Sequence, residues 1–308
     1  MLSRKLPITC ELPECFLEAE ERSGYQVTEK LKKIWAVEID LYFQFSRICE
    51  KYGIKYQIFG GSLLGAIRHK GFIPWDDDLD VAMTREEFRK FIEVARAELQ
   101  HPYFLQTALS DRKYFCSYAR LRNSETTGII EWFSSSEYNN GIYLDIYVLD
   151  GRAKSPFSNF IQSKLRWVVE KLIMATATSD ITSKPVRLFY SLIRPVASLF
   201  SYERRVKWHE NIISMYNANA TSWNQNTHGD YKYKYGITDN QWRNTTRVPF
   251  EWFDVPVPND YDGVLTAIYG DYMKMPPVSE RGKWHEGLVH FEPEIPYREY
   301  IREKSLRA

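Results

Sequence analysis

From Thr28 to Tyr52 apolar residues recur at helical spacing (Leu31, Ile34, Trp35, Leu41, Phe45, Ile48), and Gly53 closes the pattern as a C-terminal capping glycine does. A long amphipathic helix is predicted. Ile54 to Phe59 then alternates with period two and runs into Gly60-Gly61-Ser62, the composition of a strand that turns sharply into a short helix from about Leu63 to Arg68. Gly71 to Trp75 reads as a loop, and the acidic run Asp76-Asp77-Asp78-Leu79-Asp80-Val81-Ala82-Met83 follows it. On a predicted strand, Asp78, Asp80 and Ala82 share one face while Leu79, Val81 and Met83 anchor the other in a core. Thr84 and Glu87 form a candidate capping box for a helix through Leu99, with Phe88, Phe91, Ala95 and Leu99 along one side.

Two further strands are predicted. Arg120 and Arg122 alternate on Tyr118 to Arg122, and Gly141 to Asp150 places Ile142, Leu144, Ile146 and Val148 on one face with Asp145 between Tyr143 and Tyr147 on the other. Pro156 to Trp208 reads as helical and basic, with nine Lys or Arg against three acids, interleaved with Trp167, Leu188, Phe189 and Phe200. Such a segment suits peripheral contact with an anionic membrane, or equally a solvated basic face. The remainder is rich in Trp, Tyr, Pro and Asn, with a helix predicted from Tyr261 to Tyr269. These elements imply an α/β (α+β) fold: a mixed sheet with helical additions. The expected organisation is a catalytic core over 25–150, a basic helical segment over 151–220, and an aromatic-rich part over 221–308 that completes the site.

Composition narrows the function. The 308 residues carry 41 basic and 40 acidic side chains, so no global field draws the chain to nucleic acid. Cys10, Cys15, Cys49 and Cys116 form no CxxC pair, which argues against a zinc knot or disulfide framework and for reduced thiols in a cytoplasm. The first 25 residues lack the pattern of a signal peptide, and no run approaches the roughly 18 apolar residues that span a bilayer. The expected location is cytoplasmic, including the inner face of the membrane. An aromatic content of 15% suits sugar or nucleobase contacts, though filling a core is the commoner use.

Two carboxylates at i and i+2 of a strand sit about 7 Å apart on one face, within reach of shared divalent ions. Asp145 on a neighbouring strand would supply a third, and such a site offsets the charge of a diphosphate. An acidic run taken alone is as often a solvated loop. Here it follows a turn, Gly60-Gly61-Ser62, whose backbone N–H groups at a helix N-terminus suit a phosphate. Arg68, His69 and Lys70 either bind phosphate oxygens or merely complement the helix dipole. Arg120 and Arg122 are candidates for the diphosphate or the acceptor, although surface arginines are commoner. Oxygen ligands favour Mg²⁺ or Mn²⁺ over zinc.

The stretch from Phe59 to Met83, FGGSLLGAIRHKGFIPWDDDLDVAM, resembles the signature of the LicD family, related to the fukutins. The resemblance continues in Gly141 to Gly151, in Tyr269-Gly270-Asp271-Tyr272-Met273, in Pro276-Pro277 and in His285. It implies a nucleotidyltransferase fold and transfer of phosphocholine, or a related alcohol phosphate, from a CDP-alcohol donor, CDP-choline foremost, to a glycan or lipid-linked glycan with release of CMP. By the same resemblance Asp78 and Asp80 correspond to the metal-binding pair and Asp145 to the third acid and candidate base, with Gly61 and Ser62 in the phosphate-binding turn. A choline donor would favour an aromatic cage, for which Trp75, Tyr143, Tyr147 and Trp284 are candidates. Two rival readings are a nucleotidyltransferase that moves a nucleoside monophosphate and a catalytically silent glycan-binding protein.

Overall fold

The computed structural model describes all residues except 1–4, 113, 131–137, 152, 154, 178–183, 221, 226–236, 283–288 and 308. A small hairpin, β1 (Glu20–Arg22) and β2 (Tyr25–Val27), leads into α1 (Glu29–Tyr52). Both predicted ends of this helix hold: Thr28 Oγ1 accepts from the Leu31 N–H, and Gly53 adopts φ 63° so that its N–H reaches the Cys49 and Glu50 carbonyls. The predicted strand after it shrinks to β3 (Gln57–Ile58), and α2 (Gly60–His69) begins three residues earlier than the pattern suggested.

The acidic strand is β4 (Asp80–Thr84), so Asp78 lies on the loop before it rather than on its face. Helix α3 (Arg85–Glu98) follows directly, but Thr84 makes no side-chain cap. Glu87 accepts instead from the Lys55 N–H at 3.0 Å, which removes the second half of the expected capping box. Then come β5 (Tyr103–Gln106), β6 (Ala119–Asn123), β7 (Thr127–Ile130) and β8 (Ile142–Gly151).

Strand β8 is the spine of the sheet. It pairs in parallel with β4, Asp80 opposite Asp145, and antiparallel with β6, Arg120 opposite Asp145. One register thus collects three charged side chains from three strands. Both faces of β8 are covered, and α1 lies against it with Trp35, Ile39, Leu41, Phe45 and Ile48 wholly buried. Each such side chain contributes on the order of 1.5–3 kcal/mol by leaving water. Trp35 does more: its ring stacks on Phe72 at 4.7 Å and its Nε1–H donates to the Asp76 carbonyl at 2.9 Å, so α1 fixes the loop that carries the acids.

Three helices follow: α4 (Pro156–Ala177), α5 (Lys184–Ser198) and α6 (Tyr202–Ile213). The chain then returns to the same sheet with β9 (Ser222–Gln225), which pairs with the end of β8, and β10 (Ile237–Thr238). Beyond α7 (Asp239–Arg243), β11 (Thr245–Phe250) and β12 (Phe253–Pro258) form a hairpin, followed by α8 (Tyr261–Tyr269). Strand β13 (Val289–Glu292) pairs with β7, and α9 (Tyr297–Arg307) ends the chain. The architecture is α/β with a mixed sheet, as the pattern of elements predicts. Among the described residues no helix is long and apolar enough to cross a membrane.

Candidate active site

A cleft of about 600 Å³ opens between the acidic loop, the N-terminal part of α2 and the segment after α8. Gly61, Arg68, Trp75, Asp78 and Asp80 line it, facing Tyr269, Asp271, Tyr272 and Lys274. Sequence spacing brought the first group together; the second comes from nearly 200 residues further on. The Tyr269 to Met273 motif lies in the aromatic-rich part expected to complete the site, though the sequence does not say where. Folding makes it the opposite wall.

The glycines of the turn make room for carboxylates. A Cβ on Gly60, which adopts φ 56°, would lie 3.2 Å from Asp80 Oδ2, and one on Gly61 would lie 3.2 Å from Asp76 Oδ2. The positive end of α2 therefore already faces two acids. Ser62 is buried, and its Oγ accepts the Asp80 N–H at 2.7 Å, tying the helix to the acidic strand. Ser62→Ala is expected to strand that N–H and cost about 1–3 kcal/mol, measurable by urea denaturation; an unchanged midpoint would remove this anchoring role.

The electrostatics of the cluster are strained. Burial, then the charges of Asp76 and Asp80, push the Asp78 carboxyl well above the usual carboxylate range. Burial and the neighbouring Asp145 do the same to Asp80, with Arg120 partly opposing. A fourth acid was missed by sequence reasoning. Glu38, in the middle of α1, is wholly buried, and both its oxygens lack a hydrogen-bond partner. Burial, then Asp77 and Asp80, raise its carboxyl far above its ordinary value. Its signal in the sequence was an acid on the apolar side of an amphipathic helix.

Asp145 occupies the register position expected of a third ligand, but its carboxylate is engaged. Arg120 donates Nε to Oδ1 at 2.6 Å and Nη2 to Oδ2 at 3.4 Å, both side chains being buried. The guanidinium lies 3.9 Å from the Tyr143 ring and 5.6 Å from that of Tyr118. Arg122 is equally enclosed, donating to Gln106 Oε1 and to the Gly141 carbonyl. Neither arginine is a surface residue, contrary to the commoner expectation. Among the described residues no three His, Cys, Asp or Glu side chains converge as a preformed metal centre. The donors nevertheless fit a hard divalent ion: they are all oxygens, and Asp80 Oδ1 is a buried acceptor without a partner.

The basic end of α2 divides by residue. Arg68 lines the cleft, donating Nη1 to the Tyr272 carbonyl and Nε to His69 Nε2 at 2.9 Å. Accepting that bond keeps His69 neutral, and burial, followed by Arg68, Arg22 and Arg281, lowers its pKa to about 4. His69 thus offers a phosphate no charge at neutral pH. Its imidazole is expected to titrate near pH 4 in an NMR experiment, with His69→Gln assigning the signal; a midpoint near the ordinary 6.5 would contradict the bond. Because the unfolded chain takes up this proton first, His69 removes stability as pH falls from about 6.5 towards 4. Lys70 is exposed in a left-handed C-cap and is not among the residues lining the cleft.

Of the described candidates for the cage, Trp75 lines the cleft and Tyr143 and Tyr147 do not. Tyr143 holds Arg120 over its ring, Tyr147 packs against Tyr118 at 5.0 Å, and Trp284, like His285, lies outside the described residues. Trp75 does line the cleft, with Arg281 4.7 Å from its ring centre.

Residues 53–177, which hold α2, the acidic loop, β4 and β8, match the family LicD, described as LicD/FKTN/FKRP, nucleotidyltransferase domain. That segment is similar to a LicD-family nucleotidyltransferase domain. The lipopolysaccharide cholinephosphotransferase LicD of Haemophilus influenzae is 29% identical over 255 residues, 78% of this chain and 90% of that protein. An uncharacterized protein, RP689, of Rickettsia prowazekii is 37% identical over 101 residues, 32% of this chain and 34% of its own. Human ribitol 5-phosphate transferase FKRP is 41% identical over 51 residues, 17% of this chain and 10% of that protein. The matched segment ends with α4, so Tyr269 to Gly282, the far wall of the cleft, lies outside it.

Proposed function

We propose that this chain transfers phosphocholine, or a related alcohol phosphate, from a CDP-alcohol to a hydroxyl group of a cell-surface or lipid-linked glycan. The observation that carries this reading is the cleft itself: Asp78 and Asp80 with Arg68 and Lys274, and Gly61 at the N-terminus of α2. Similarity to the Haemophilus influenzae enzyme over most of both chains supports it.

In this reading the glycan oxygen bonds to the phosphorus bearing the alcohol, and the bond from that phosphorus to the CMP oxygen breaks. The hydroxyl proton passes to a carboxylate of the cluster. Asp78 and Asp80 hold Mg²⁺ or Mn²⁺, which when bound supplies positive charge against the diphosphate. Arg68 and Lys274 bind phosphate oxygens, and the Ser62 hydroxyl keeps Asp80 in position. Asp145 is a weak candidate for the base, because both its oxygens are already engaged by the Arg120 guanidinium. Tyr269 and Tyr272 line the cleft and offer rings to the quaternary ammonium of choline, whereas Trp75 already holds the Arg281 guanidinium.

Ribitol phosphate is the second reading, favoured by the similarity to FKRP. Calorimetric titration with CDP-choline, CDP-ribitol, CDP-glycerol and UDP-glucose, each with and without Mg²⁺, separates them. Metal-dependent binding of one CDP-alcohol, with CMP as product, is expected. Release of pyrophosphate would replace transfer of an alcohol phosphate by nucleotidyl transfer, and binding of no nucleotide would leave a glycan-binding protein.

A further inference from the structure

Helices α4 and α5 form a hairpin that is tethered on one side only. Val169 and Ile173 of α4 pack with Ala108, Phe115 and Tyr202, and so fasten the helix to the body and α6. Tyr190 and Ala197 of α5 pack back onto Ala175. The opposite sides carry apolar residues in water. Of 18 exposed large hydrophobic residues among the described ones, 12 fall between Phe157 and Leu199, so the exposure is concentrated rather than scattered.

The residues are ordered by helical spacing. On α4 the stripe runs Phe157, Phe160, Ile161, Lys164, Trp167, Val168 and Lys171; on α5, Leu188, Phe189, Leu192 and Val196 fall on one face, with Leu199 just beyond. Phe157 is 73% exposed and Leu192 72%. Lysines interleave with the rings: Lys164 lies 5.3 Å from the Phe160 ring centre and Lys171 5.8 Å from that of Trp167. Arg187 and Arg194 of α5 are exposed but lie away from this stripe, and Arg194 donates Nε to the Ala175 carbonyl at 3.0 Å, so the cations of the face are the two lysines. The only acid on the described residues of the two helices, Glu170, is buried beside His209 and Arg166. The face is therefore apolar, cationic and without an exposed carboxylate.

We propose that the outer face of the α4–α5 hairpin docks on a membrane surface rich in anionic phospholipid. Apolar side chains interleaved with lysine suit the boundary between acyl chains and headgroups, where basic residues meet lipid phosphates. No helix of the described residues spans a bilayer, so the contact is peripheral. A second copy of the chain is the poorer occupant, since a two-fold interface would set this lysine-bearing face against itself with no exposed acid among the described residues of the two helices to offset it. The docking proposal does not rest on the transferase reading, and its test needs no nucleotide.

The test is sedimentation with vesicles of phosphatidylcholine alone or with about 30 mol% phosphatidylglycerol, at low and high salt. The wild-type chain is expected to pellet with the anionic vesicles, less so in high salt. Leu188→Glu with Leu192→Glu, and separately Lys164→Glu, should each weaken partitioning at least about tenfold. These side chains are exposed, so circular dichroism and melting should be unchanged in the variants. A wild-type chain that stays in solution with every vesicle, or variants that partition like it, would overturn the proposal. So would self-association of the wild type that the Leu188→Glu, Leu192→Glu variant abolishes without any vesicle binding.

Discussion

Replacing Asp80 by asparagine is expected to lower transfer by about a thousandfold or more, equivalent to about 4 kcal/mol of transition-state stabilisation, while the folded state becomes more stable. The two effects have one cause. Asp80 is buried beside Asp145 and Asp76, and its Oδ1 lacks a hydrogen-bond partner, so the ionised carboxylate is costly unless a cation is bound. Asparagine keeps the shape and the backbone N–H to Ser62 Oγ but removes the charge. A gain of about 1 kcal/mol, or about 2 °C in Tm, is expected in metal-free buffer, and added Mg²⁺ should stabilise the wild type but not the variant. Full turnover by a well-folded Asp80→Asn protein would exclude Asp80 from the chemistry.

Arg120→Met is the second large effect, and its sign is opposite. Removing the guanidinium leaves Asp145 buried and unpaired beside Asp80, a change that costs about 3–5 kcal/mol in comparable sites. The expected fall in Tm is about 5–15 °C. Adding Asp145→Asn should recover much of that loss, since the pair is then gone rather than broken, and urea denaturation of the four proteins gives the coupling directly. If Arg120→Met alone melts like the wild type, the carboxylate has found another cation, and Asp145 would return to the role of metal ligand.

These variants mark the boundary between local and distant information. Helix α1 was legible to the residue because its signals are local: apolar spacing, a threonine at the start and a glycine that tolerates positive φ at the end. The order turn, helix, loop, acidic strand was legible for the same reason, and the cleft does contain Gly61, Arg68, Trp75, Asp78 and Asp80. Local signals also misled. Thr84 and Glu87 have the spacing of a capping box, but Glu87 is taken by the Lys55 N–H from another element. Alternation placed Asp78 on a strand that begins two residues later.

The sequence by itself determined the elements that carry the site (α1, α2, β4, α3, β6 and β8), the mixed α/β class and one wall of the cleft, because each depends on residues a few positions apart. Tertiary structure decided what no spacing carries: that Arg120 closes on Asp145 across paired strands, that Glu38 turns inward among the acids, and that Tyr269 to Gly282 forms the other wall. It also decided which apolar residues of the basic segment are left in water, since a helical stripe reads the same whether or not another element covers it. The physical reason is common to all four. A side chain's charge state, partners and exposure are set by whatever the folded chain brings within a few ångströms, and those neighbours are mostly remote in sequence.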